Sequence, residues 1–183
     1  MTHVWWYAAR AGGVIAWILL EASVVFGILR STRLAGRSAK PAWLLQMHQT
    51  FSAIAVAFVA IHVGSVVADS YVHFGLADVL VPLASSWRPA AVAWGIVAVW
   101  LLAAVYATSL VRDRLPHGLW HGIHLVSYVV WVIATIHVLQ AGSDSSTVLI
   151  RTIVVAGTGV VALLSVVALS RHAARQPRRR IPV

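Results

Sequence analysis

The chain has no cysteine, and that absence removes several classes of chemistry at once. Disulfides, thiolate-held metals, Fe–S clusters and the C-x-x-C-H attachment of c-type haem are all excluded. Acidic residues are scarce too: five Asp and Glu in 183 residues, against fourteen Lys and Arg. Charged residues make up 10% of the chain, where a soluble domain carries about 25%. So little charge cannot cover a water-facing surface, and lipid becomes the expected solvent. A net charge of +9 would ordinarily raise nucleic acid as a partner. Here the basic residues lie in short connections between apolar runs rather than along one polar face, so no nucleic-acid contact is expected.

Apolar residues are abundant, at 60% of the chain, and they fall into five runs. These span approximately residues 12–29, 43–68, 90–111, 117–140 and 148–170. Crossing the hydrocarbon core takes about 20 apolar residues in a helix, and each run is long enough. The first run has a Trp-rich start, no Lys and more apolar length than the core of a signal peptide, so it reads as a span. The expected fold is all-α: an integral membrane bundle of five transmembrane helices, one domain over residues 1–183 with a basic tail at 171–183. Short connections make neighbouring helices antiparallel.

Lys and Arg set the orientation. Arg30, Arg33, Arg37, Lys40, Arg112, Arg114 and the five arginines from Arg171 to Arg180 fall on one side, eleven in all; only Arg10, Arg88 and Arg151 fall on the other. The N-terminus is expected outside and the C-terminus in the cytoplasm. Trp5, Trp6, Tyr7, Tyr71 and Trp87 would form an outer aromatic belt, with Trp43 and Trp120 at the inner face. The basic tail reads as a topology signal and a contact for anionic lipid.

Four of the nine histidines lie well inside apolar runs: His48, His62, His124 and His137. An intramembrane ionisable residue is costly and marks function. His48 and His62 are fourteen residues apart. At ~100° per residue they share one helix face, about 21 Å apart along the axis. His124 and His137 are thirteen apart, which matches that height to within ~2 Å. The second and fourth runs travel in the same direction, so His48 comes level with His124 and His62 with His137. Paired neutral imidazoles at two depths are what two six-coordinate haem irons need, each ring donating one nitrogen. One feature resists: thirteen residues leave an ideal helix ~140° out of register. The fourth run must then be kinked or bulged, with Gly118 and Gly122 as permissive points, or its haems must lie on different flanks. His121 rivals His124 as the inner ligand, and His117 is a weaker rival.

The paired spacing, His48/His62 on one helix and His124/His137 on the next but one, resembles the ferric reductase-like transmembrane domain. That domain is shared by ferric reductases, NADPH oxidases and the haem-binding subunit of a bacterial periplasmic methionine sulfoxide reductase. The resemblance implies that His48 and His124 bind an inner b-type haem and His62 and His137 an outer one. Electrons would run from a cytoplasmic-side donor to an extracytoplasmic acceptor. Ferric reductases and NADPH oxidases continue into FAD and NADPH domains, whereas this chain ends about a dozen residues after its fifth run, with no Gly-rich phosphate loop. The donor is therefore expected to be a separate flavoprotein, another subunit or quinol, with flavin present only through a partner. NADPH oxidases also carry a second His one turn beyond the outer ligand; Val66 stands there in this chain, which counts against superoxide production.

Other residues carry two readings each. Glu21, the only acidic residue inside a run, would contact a proton, a quinone, an inner-haem ligand or a propionate, or else form a helix–helix hydrogen bond. Arg10 would pair with a propionate of the outer haem or anchor the interface. His73 belongs to an outer loop whose stretch 75–84 reads as a short interfacial helix capping the outer haem. Trp94, Trp100 and Trp131 read as packing residues. The expected function is a transmembrane cytochrome b, the electron-transfer subunit of an oxidoreductase, in a prokaryotic plasma membrane. The alternative is a small transporter or channel whose histidines relay protons or bind a metal ion. Such proteins recruit several intramembrane carboxylates, and only Glu21 is available here.

Overall fold

A computed structural model describes residues 3–36, 39–70 and 72–175. All regular structure among them is helical. α1 runs Val4–Thr32, α2 Pro41–Ala68, α3 Leu76–Leu80, α4 Pro89–Leu110, α5 His117–Leu125, α6 Ser127–Ala141 and α7 Val148–Arg175. A short 3-10 turn, Arg112–Arg114, joins α4 to α5. Proline opens α2 and α4 at the first helical positions, where a missing N–H costs nothing. Both helices are therefore delimited by their own sequences.

Five segments are long and apolar enough to cross a membrane, with α5 and α6 together forming one. The expected five-span, all-α architecture is what the chain adopts. The boundaries extend outward: α1 begins eight residues before the expected start, and α7 continues five residues past Ser170. Of the basic tail, residues 176–183 lie outside the described residues, as does Tyr71 of the expected outer belt.

Three helices pack on α1, the most enclosed span. It packs against α2, α6 and α7, while α4 packs against α5 and α6. Gly12 of α1 lies against the His62 backbone of α2, where a methyl would come to an ordinary contact of 3.5 Å. Val24, Ile28, Trp131 and Val161 form a core between α1, α6 and α7. The large side chains of α7, among them Val155, Leu163, Val166 and Leu169, face outward. In water that surface would be a liability, but against lipid tails it is neutral. Between α2 on one side and α5 and α6 on the other, the space is crossed by histidine rings.

The fourth run is where the expected distortion appears, at a different residue from the glycines. The helix breaks at Val126, whose amide bonds back to the Ile123 carbonyl at 3.0 Å in a tight 3-10 pattern. Gly118 and Gly122 lie within α5, with open space around them. The break separates His124 on α5 from His137 on α6, so the two residues need not share the face of one straight helix. The ~140° offset expected of one uninterrupted helix therefore need not apply to them.

Candidate functional site

The rings of His48 and His124 meet with centroids 5.8 Å apart and planes at 75°. Those of His62 and His137 meet at 6.3 Å and 75°. Both pairings agree with the depths read from spacing. His121 instead stacks on His117 at 6.0 Å, on the outward side of α5, and it is His124 that meets His48.

Each ring is fixed from behind. His62 Nδ1 lies 2.7 Å from the Ala9 carbonyl, His137 Nδ1 2.8 Å from that of Ala91, and His48 Nδ1 2.9 Å from that of Ser23. A carbonyl only accepts, so Nδ1 donates in all three. In the neutral ring Nε2 is then left with its lone pair. His124 Nδ1 meets the Ser109 hydroxyl oxygen at 3.3 Å. Metal-binding histidines characteristically donate their second ring N–H to a carbonyl in this way. A metal between two imidazole nitrogens at ~2 Å each sets the ring centres about 6 Å apart. The observed separations fit, and so do the tautomers.

Glycines make the room. A methyl at Gly13 would fall 2.9 Å from His62 Nδ1, at Gly95 2.7 Å from His137 Cε1, and at Gly27 3.4 Å from His48 Nδ1. These residues escaped the sequence reading, yet a signal was there. Gly13 and Gly27 are fourteen apart, as are His48 and His62 on the antiparallel neighbour. Ala9 and Ser23, which supply the carbonyls, repeat the same interval.

Beside the His62–His137 pair opens a cavity of about 240 Å³, lined by Gly13, Gly95, Val66 and Trp87 among others. Arg10 and Asp144 stand on its lining and pair with each other: Arg10 Nε donates to Asp144 Oδ2 at 3.0 Å, and Nη2 bonds Oδ1. This ties α1 to the α6–α7 connection. The segment between α2 and α4 contributes Val72, Phe74, Trp87 and, from α3, Val79 to the same wall. Trp100 Nε1 donates to the Leu80 carbonyl at 3.1 Å, so this tryptophan anchors α3 besides packing. α3 is shorter than the expected 75–84 stretch, and His73 is exposed with a left-handed φ of 56°.

Glu21 lies on α1 between Gly13, which faces His62, and Gly27, which faces His48. Trp131 Nε1 donates to its Oε2 at 2.7 Å, making the helix–helix hydrogen bond that was one of its two readings. Its Oε1 is buried with no hydrogen-bond partner among the described residues. Trp17 Nε1 donates to Thr135 Oγ1 at 2.9 Å, and Thr135 to the Trp131 carbonyl at 2.8 Å. Trp131 is thus more than the packing residue it was expected to be.

A multi-pass helical bundle with two opposed histidine pairs at different depths defines a class of membrane protein. The chain belongs to the family described as ferric reductase like transmembrane component, which matches residues 12–135. The match includes His48, His62 and His124 and stops two residues before His137. No curated protein and no solved structure matches the chain. Membership of this family makes it a membrane protein suited to electron transfer.

Proposed function

We propose that the protein is a transmembrane cytochrome b, the electron-transfer subunit of an oxidoreductase, in a prokaryotic plasma membrane. His48 and His124 would hold an inner b-type haem, and His62 and His137 an outer one. The observation that carries this reading is the pair of opposed histidine sets, with Nδ1 donating away from the partner ring and Nε2 left free. Two lone pairs brought together in apolar surroundings gain nothing from each other. They are stabilised by a Lewis acid between them. Haem supplies a one-electron carrier at each level, and two levels make a path between the membrane faces.

The protein's own contribution is to bind, orient and insulate. Backbone carbonyls fix the ligand tautomers, glycines admit the rings and the apolar walls exclude water. Arg10 at the outer cavity is available to a propionate, with Asp144 as its present partner. Glu21, bonded to Trp131, is assigned to the space between the two haems rather than to a haem ligand. The Lys and Arg distribution supports an N-terminus outside. The donor is then a cytoplasmic-side flavoprotein or quinol, and the acceptor is extracytoplasmic.

The test is an absorption spectrum of the purified protein, oxidised and dithionite-reduced, with haem counted by pyridine haemochrome. Low-spin b-type bands with two haems per chain are expected, and His62→Ala and His124→Ala should each remove one. Absence of haem after expression with haem supplied would overturn the reading in favour of a histidine-based transporter.

A further inference from the structure

The four paired histidines are not held alike. His62 and His137 donate Nδ1–H to the carbonyls of Ala9 and Ala91. One step of fourteen residues along α1, the Ser23 carbonyl serves His48 at 2.9 Å, with the Ser23 hydroxyl 3.1 Å from the same Nδ1. The equivalent step along α4 leads from Ala91 to Val105, but His124 does not use that carbonyl. Its Nδ1 meets Ser109 Oγ at 3.3 Å, and Ser109 Oγ in turn donates to the Val105 carbonyl at 2.7 Å. Ser109 is also the fourteenth residue after Gly95. Three rings therefore lie against a glycine, Gly13, Gly27 or Gly95, and have a carbonyl behind Nδ1, whereas the Nδ1 of the fourth meets a serine hydroxyl alone among the described residues.

We infer that Ser109 is a positioning residue that stands between His124 and the Val105 carbonyl and thereby sets the redox potential of the haem held by His48 and His124 apart from that of its neighbour. The inference rests on the haem reading above. The serine's one proton is committed to Val105, so towards His124 the hydroxyl only accepts. At 3.3 Å it is a weaker acceptor than carbonyls at 2.7–2.9 Å. An acceptor on the far ring nitrogen makes the imidazole a more basic ligand, which favours the oxidised metal. Weakening that acceptor favours the reduced one. His124 is thus the least basic of the four ligands.

The competing view is that Ser109 merely bonds back to its own helix, as serine commonly does within apolar helices. The two are separated by redox titration of the haem-loaded, full-length protein, followed at the α-band, in wild type and in Ser109→Ala, Ser109→Gly and Ser109→Thr. The alanine removes the acceptor and keeps the Cβ, so the midpoint of one haem should rise. The glycine clears the path to the Val105 carbonyl, so the midpoint of that same haem should fall. The threonine keeps the hydroxyl and should titrate as wild type. The second haem should be unmoved throughout, and repeating the series in His62→Ala, which retains only the haem in question, identifies which one responds. Two haem bands with unmoved midpoints in the alanine and glycine variants would overturn the inference and leave the haem reading standing. So would equal shifts of both haems. A wild-type protein without haem bands would overturn the haem reading itself, and this inference with it.

Discussion

Gly95 lies against the edge of the His137 ring, so closely that a methyl group there would fall 2.7 Å from Cε1 and 2.8 Å from Nδ1. The ring cannot retreat, because Nδ1 is tied to the Ala91 carbonyl one helical turn away on α4. Gly95→Ala should therefore displace His137 and cost the outer haem, with ~1–3 kcal/mol of overpacking. Gly13→Ala, at 2.9 Å from His62 Nδ1, should act in the same direction. Gly27→Ala, at 3.4 Å from His48 Nδ1, should be tolerated. Haem per chain across the three variants checks the order.

His121 and His124 differ by one helical turn of α5, and only His124 meets His48. His121→Ala should leave both haems in place, while His124→Ala should lose one. A spectrum showing one haem lost from His121→Ala and none from His124→Ala would reverse the ligand assignment.

The Glu21–Trp131 hydrogen bond is buried at mid-bundle, where an unpaired polar group has no water to turn to. Trp131→Phe should destabilise the folded bundle by about 1–3 kcal/mol, by leaving the carboxyl without its donor. Glu21→Gln keeps an acceptor for the indole and should cost less. Gly157→Val, which would press on the Glu21 carboxyl from α7, should resemble Trp131→Phe. Thermal unfolding in detergent measures all three.

The Arg10–Asp144 pair is about a third exposed on each side, so its contribution to stability should be small, ~1 kcal/mol or less, and salt-sensitive. Asp144→Asn should leave haem retention unchanged or improved, since it frees Arg10. Arg10→Gln should speed haem loss from the outer site. Transfer of haem to apomyoglobin gives both rates.

Much of this architecture was legible because its causes are local. Apolar length marks the spans. The fourteen-residue interval alone puts His48 and His62 on one face, since fourteen residues are nearly four whole turns. His124 and His137 were legible as a pair but not as a geometry. Their thirteen-residue interval needed a break, and the break came at Val126 rather than at Gly118 or Gly122. Glycine permits distortion without requiring it, and which residue yields depends on how α5 and α6 pack on α4. Glu21 had two readings because one carboxyl within an apolar run does not reveal its partner, and Trp131 is 110 residues away.

Composition and helical period act residue by residue, so the apolar solvent, the number of crossings and four histidines at two depths can be read along the chain. Tertiary structure alone decided what stands behind each ring: the Ala9, Ser23 and Ala91 carbonyls, the glycines that admit the imidazoles and the serine that replaces one of them. The reason is physical. A carbonyl already used within its own helix is offered to a second donor only by the approach of another helix, and that approach is set by the packing of the whole bundle.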